Sequence, residues 1–303
     1  MRRLGNKRFT VSDRIFNIFN ILVMILLAIV TLYPFWYCII LSFNEGLDAL
    51  KGPLGLIPRK FTLDNYNFVF SNKQIVSALF MSIARTAVGS VASTVFTGIV
   101  AYGLSKKFIM GRRIYMRIFV FTMYFGGGMI PTYLLIKNLG LIDNFLVYIL
   151  PGLFTFYHAI LFMSYFDSIP SSLEEAAALD GAGKLRTLFQ VILPVSKPIF
   201  ATVCLYEAVG QWNSWFDTLI YTRSDYLMTL QGIMAKLLQQ TQALQQMMQK
   251  MSNSGGAINA FATIQPTTVR VATMVVTVFP IVVIYPFFQK YFVKGITLGS
   301  VKG

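Results

Sequence analysis

One histidine, two cysteines and twelve acidic residues in a chain of 303 leave little from which to build a catalytic or metal centre. His158 alone cannot form a clustered ligand set. Cys38 and Cys204 both lie in apolar stretches, so neither a disulfide framework nor a metal site is indicated. Charged residues make up only 13% of the chain, too few for a soluble domain of this size. The run Gly126-Gly127-Gly128 is followed by no Lys-Ser/Thr and preceded by no strand, which excludes a phosphate-binding loop. What the chain has is apolar surface: 55% hydrophobic residues and a mean hydropathy of +0.62.

These values predict an all-α polytopic membrane protein. Six hydrophobic runs fit transmembrane helices at about 15–43, 75–104, 114–136, 145–166, 195–215 and 271–288. The first follows a basic segment, 1–14, and is too long for the core of a cleaved signal peptide, with no small-x-small site after it. The net charge of +14 does not mark a nucleic-acid surface, because the basic residues sit between apolar runs rather than on one soluble face. Their distribution sets the orientation. Sixteen Lys and Arg fall in segments placed in the cytoplasm and nine in the longer external ones, with Arg85 inside span two. The positive-inside rule then puts both termini in the cytoplasm.

Several features interrupt the spans. Pro34 is expected to kink the first, and the three glycines with Pro131 to break the third. Gly89, Ser90, Ala92, Ser93, Thr94, Thr97, Gly98 and Ala101 let span two pack closely inside a bundle. Arg85 must either snorkel to the outer interface or face a polar cavity, and His158 reads as a hydrogen-bonded packing residue. The segment 217–270, with AKLLQQTQALQQMMQKM and the breaker SNSGGAIN, reads as an external lobe.

Between spans four and five, residues 171–198 read SSLEEAAALDGAGKLRTLFQVILPVSKP, a polar island in an apolar chain. Ser172 and Glu175 have capping-box spacing, and Ala176, Ala177, Ala178 and Leu179 continue a helix over about 172–179. Gly181 and Gly183 interrupt it. A second helix from about Lys184 is expected to change direction at Pro194.

Glu175-Ala176-Ala177, three residues, Gly181, nine residues and then Val191-Ile192-Leu193-Pro194 resembles the EAA loop, EAA-x3-G-x9-I-x-LP, of membrane subunits of binding-protein-dependent ATP-binding-cassette importers. Val191 stands where that pattern has Ile. AYGLSKK, QWNSWFDTLIY and the tail PFFQKYFVKGITLGSVKG are similar to the carbohydrate-importer branch with maltose-type permeases. GGGMIPTYLLIKNLGLIDN further resembles permeases that Gram-positive bacteria use for complex oligosaccharides. The resemblance implies a multi-pass permease of the bacterial cell membrane that is not itself an enzyme. Its implied partners are a second permease in a heterodimer, two cytoplasmic ATPase copies that bind ATP and Mg, and an extracytoplasmic sugar-binding protein.

On this reading Glu174, Glu175, Ala176, Ala177, Asp180, Gly181 and Ala182 form the ATPase-coupling surface, Glu175 meeting a basic residue in the ATPase. The chain carries no cofactor site of its own and no catalytic pair. Glu174 and Glu175 are neighbours at a helix start, where the helix dipole favours negative charge. Tyr206, Glu207, Trp212, Asn213, Trp215 and Arg85 are candidates for the sugar pathway, because sugars are held by aromatic faces flanked by hydrogen-bonding groups. Trp212 and Trp215 equally fit an interfacial aromatic belt. A self-sufficient ion-coupled secondary transporter is the alternative function, but Glu207 is accompanied by no convincing internal repeat.

Overall fold

The computed structural model describes residues 11–106, 109–239 and 266–299. Along the chain run α1 (Val11–Ser42), α2 (Gly46–Ala49), α3 (Asp64–Ser71), α4 (Lys73–Ser105), α5 (Arg112–Tyr124), α6 (Met129–Asn138), α7 (Phe156–Asp167), α8 (Ser172–Leu179), α9 (Lys184–Thr187), α10 (Leu193–Val195), α11 (Lys197–Asn213) and α12 (Phe216–Tyr221). A helical segment at 230–239, here α13, and α14 (Pro266–Gly299) follow. Among the described residues α1, α4 and α14 are each long and apolar enough to cross a membrane. Two bent pairs, α5 with α6 and 184–195 with α11, qualify only if each is counted as one broken span.

The chain divides into two compact units, Met1–Val69 with Gln246–Val275, and Phe70–Gln245 with Val276–Gly303. In the first, α1 continues through Pro34, and the loop after it is tied to its end by polar side chains. Asn44 Oδ1 accepts from the amides of Arg59 and Lys60 at 2.9 and 3.0 Å, and Asn65 Nδ2 donates to the carbonyls of Ser42 and Asn44. Arg59 Nε donates to Asp48 at 2.9 Å, and that guanidinium, with Asn44, holds the Asp48 carboxyl below its ordinary range. The external loop predicted here is an ordered structure stapled by buried amides.

The second unit is organised on α4, against which α7 and α11 pack. Asn72 caps α4, its side chain accepting from the amides of Gln74 and Ile75. Lipid chains are as apolar as leucine, so burying apolar surface drives helices together weakly and close fit decides which faces meet. Gly98 supplies that fit: a Cβ there would lie 2.6 Å from the Phe200 ring. Phe162, fully buried, packs on Phe200 with ring centroids 4.6 Å apart and on Phe166 at 5.8 Å.

Two expectations, for residues 145–166 and for Pro194, are corrected. Residues 145–166 are not one helix: a 3-10 turn at Phe145–Tyr148 is followed by a break through Pro151-Gly152, and α7 has only 12 residues. Proline has no N–H to continue the ladder and disfavours helix in the residue before it. At about 1.5 Å per residue α7 is near 18 Å long, short of a bilayer's hydrocarbon core of about 30 Å. The third span breaks at the glycines, as the sequence leads one to expect, and α5 and α6 meet there at 114°. Pro194 does not end the helical run from Lys184: a π turn at Leu188–Ile192 precedes it, and the 82° bend into α11 falls at Ser196. The extra residue of a π turn shifts the local hydrogen-bond register, which accommodates a residue without an amide donor. The start of the 217–270 segment is packed into the second unit: Thr218, Tyr221, Leu227 and Leu230 are buried, and Ser82 Oγ on α4 accepts from the Leu230 amide at 2.8 Å. Residues 1–10, 107–108, 240–265 and 300–303, including most of the Gln-rich stretch, SNSGGAIN and much of the basic N-terminus, lie outside the described residues.

Two loops of the second unit are clipped by Asp143, whose carboxylate accepts from the Ser224 hydroxyl and amide and from the Arg223 amide at 2.5, 2.8 and 2.9 Å. These bonds, that of the Ser224 hydroxyl foremost, lower its pKa below the ordinary 3.8. A depressed carboxylate pKa contributes stability that is complete above the unfolded value and lost as pH falls through the folded one. Protection of the Arg223 and Ser224 amides from hydrogen exchange should therefore hold at pH 5 and fall away below about pH 3.8. Asp143→Asn should abolish that acid dependence, and unchanged dependence in the variant would refute the clip.

Candidate functional site

Arg85 is 2% exposed and does not snorkel. Its guanidinium is aimed from α4 at the junction of α11 and α12, and every N–H is used. Nε and Nη2 donate to Gln211 Oε1 at 3.1 and 2.9 Å, Nη1 and Nη2 to the two Asp217 oxygens at 3.1 and 2.6 Å, and Nη1 also to the Ser214 carbonyl at 3.4 Å. The planar fork matches the carboxylate bidentately, and its carbon lies 4.3 Å from the Tyr148 ring centroid. Asp217 is itself held by the Ser214 hydroxyl and the Thr218 amide. Gln211 Nε2 donates to the Tyr148 carbonyl at 3.1 Å, and Gly89 makes room for it: a Cβ there would lie 2.9 Å from the Gln211 amide.

This cluster lines an open cleft of about 270 Å³, to which Glu207, Gly210, Pro151 and Thr132 also contribute. Glu207, 9% exposed, sits one helical turn before Gln211, and its Oε1 is 2.6 Å from His158 Nδ1. The cleft thus combines three ionisable groups, each partnered within the chain, with a tyrosine face and backbone carbonyls. Such a surface offers hydrogen bonds to polyhydroxylated molecules.

The other pathway candidates take different places. Trp212 is buried and donates from Nε1 to the Thr277 carbonyl of α14 at 3.1 Å, which makes it a packing anchor. Tyr206 is 47% exposed, with its ring parallel to that of His158 at 6.2 Å. Asn213 ends α11 exposed, and Trp215, exposed at the α11–α12 break, meets Phe216 edge-on. Sequence reasoning missed Asp217, which follows an aromatic run and looks like the first external residue. The available signal was Arg85 itself, because an arginine buried in span two requires an acid at the same depth.

In the 171–198 segment the capping box does not form. Ser171, not Ser172, is the N-cap; it already has helical φ and ψ, its side chain makes no cap bond, and the Glu174 and Glu175 amides bond to its carbonyl at 3.0 Å. The helix ends as a Schellman motif: the Gly181 amide bonds to Ala178 O and the Ala182 amide to Ala177 O, with Gly181 at φ +77°. That left-handed conformation is what requires glycine there. Ala177 is buried, Ala182 half-buried, and Glu174 is engaged by Lys106. Glu175, Ala176, Asp180 and Gly181 are exposed, beside a Leu179 that is 90% exposed.

No protein-family model matches the chain. It is 34% identical to the polygalacturonan/rhamnogalacturonan transport system permease protein YtcP of Bacillus subtilis (strain 168), over 96% of this chain and all of that one. It is also 34% identical to the protein LplC of the same organism over the full length of both. Among solved structures, a chain of a bacterial ABC transporter involved in the import of the acidic polysaccharide alginate aligns with a TM-score of 0.83 and 32% identity, covering 94% of this chain and 99% of that one.

Proposed function

The chain belongs to the family of permease subunits of binding-protein-dependent sugar ABC importers, and from that premise we propose that residues 171–198 are its docking surface for a separate ATPase. The observation that carries this is the outward face of α8. It presents Glu175 and the almost fully exposed Leu179 on a helix in which only Ala177 is buried, although exposed leucine gains nothing from water. The site lies on the cytoplasmic side of six spans with both termini inside, α5 with α6 making one broken span and the 145–167 segment a short one. In that arrangement a second permease completes the pathway, two ATPases bind ATP and Mg below, and a sugar-binding protein delivers an oligosaccharide from outside. The cleft around Arg85, Glu207 and Gln211 is this chain's share of the pathway, and its paired charges and tyrosine face suit sugar hydroxyls.

Docking is tested by co-purification of the ATPase with the permease. Glu175→Arg should lower retained ATPase by about tenfold, the loss of one charge-assisted contact of about 1.4 kcal/mol. Gly181→Val, forced into a left-handed conformation costing about 1–2 kcal/mol, should do at least as much by unseating the end of α8. Undiminished ATPase in both variants would sink the assignment.

A further inference from the structure

Glu174 and Glu175 are adjacent in sequence, yet a helix turns about 100° per residue, and the two side chains leave α8 in different directions. Glu175 is exposed. Glu174 is paired with Lys106, and the two side chains are only 25% and 18% exposed. Lys106 is the C-cap residue of α4, where unpaired backbone carbonyls favour a cation. Its ammonium is also 4.3 Å from the centroid of the buried Tyr102 ring, which in turn meets Phe166 edge-on at 5.8 Å. Arg112 Nε donates to the Leu104 carbonyl at 2.6 Å, further fixing this end of α4. The pair therefore joins a coupling helix to the packed end of the helix that carries Arg85 into the cleft, 21 residues or about 31 Å away.

The covalent link at the C-terminal end of α8 is a poor lever by comparison. Its exit is the Gly181–Gly183 turn, and an added Cβ at either glycine would meet nothing within 4 Å. We infer that the Lys106–Glu174 pair is the tie through which displacement of α8 reaches α4 and the cleft. Glu174 is thus a positioning residue that acts within the chain, whereas Glu175 acts on the partner. This rests on the reading that α8 docks on the ATPase.

The test uses the assembled importer with Cys38→Ser, Cys204→Ser and Gly210→Cys. Gly210 lines the cleft, and an added Cβ there meets nothing within 4 Å. The labelling rate of the introduced thiol by a membrane-impermeant maleimide is compared without nucleotide and with ATP and vanadate, alongside the amount of ATPase retained. In this parent the nucleotide should change the rate by about tenfold. Lys106→Glu should retain the ATPase and lose the nucleotide effect. The swap Lys106→Glu with Glu174→Lys should recover it, which a merely structural role at either position would not produce. A nucleotide effect that persists in Lys106→Glu, or that the swap fails to restore, overturns the tie. So does loss of the ATPase from Lys106→Glu that the swap does not reverse. A parent without any nucleotide effect overturns both the tie and the assignment of the cleft to the pathway. Failure of docking itself is read separately, from ATPase retained by Glu175→Arg.

Discussion

Asp217→Ala should destabilise the protein by about 3 kcal/mol or more, the cost of leaving one partner of a buried pair alone. The residue that suffers is Arg85, which is 2% exposed and sends two of its N–H groups to that carboxylate. Gln211 cannot replace the lost acceptor, because its Oε1 already accepts twice from the same guanidinium. Asp217→Asn keeps one acceptor and should fall between the variant and the parent. Replacing both charges, as Arg85→Met with Asp217→Leu, should cost much less than Asp217→Ala alone, since removal of both partners leaves no stranded cation. Equilibrium unfolding of the purified protein in mixed micelles measures all three. A loss under about 0.5 kcal/mol for Asp217→Ala would show that the pair is not the clamp described.

Gly98→Leu should be the most damaging change on the face where α4 meets α11. Even the first carbon of a side chain would lie 2.6 Å from the Phe200 ring, and that ring is wedged against the fully buried Phe162. Overpacking of this kind costs about 1–3 kcal/mol, and α4 holds together the second unit, so folded yield should fall with it. Gly103, on the same helix, is the internal control: an added Cβ meets nothing within 4 Å, and Gly103→Ala should be neutral or slightly stabilising through helix propensity. Gly98→Ala with Phe200→Leu should recover part of the loss. If Gly98→Leu and Gly103→Ala unfold alike, the close approach of the two helices is wrong.

Arg85 in the cleft and Lys106 beside α8 stand 21 residues apart along α4. The cleft near Arg85 carries partnered polar groups, and α8 carries exposed ones. The division fits a permease subunit: the protein moves parts of itself relative to a sugar and leaves hydrolysis to a partner.

What the sequence determined by itself was everything that depends on local composition. Long apolar runs make helices that can live in lipid, small residues on one stretch mark a packed helix, and EAA-x3-G spacing places a turn that only glycine takes readily, realised at Gly181 with φ +77°. The tertiary structure decided what depends on partners distant in the chain. Asp217 becomes part of the packed second unit because Arg85, 132 residues earlier, is buried and takes its carboxylate as a partner. Glu174 and Glu175, indistinguishable as letters, acquire different surroundings because Lys106 stands beside one of them. Trp212 turns from a sugar platform into a packing anchor because the Thr277 carbonyl lies within reach of its indole N–H. Pairing energies of this kind are set by distance and burial, and neither is a property of a residue read alone.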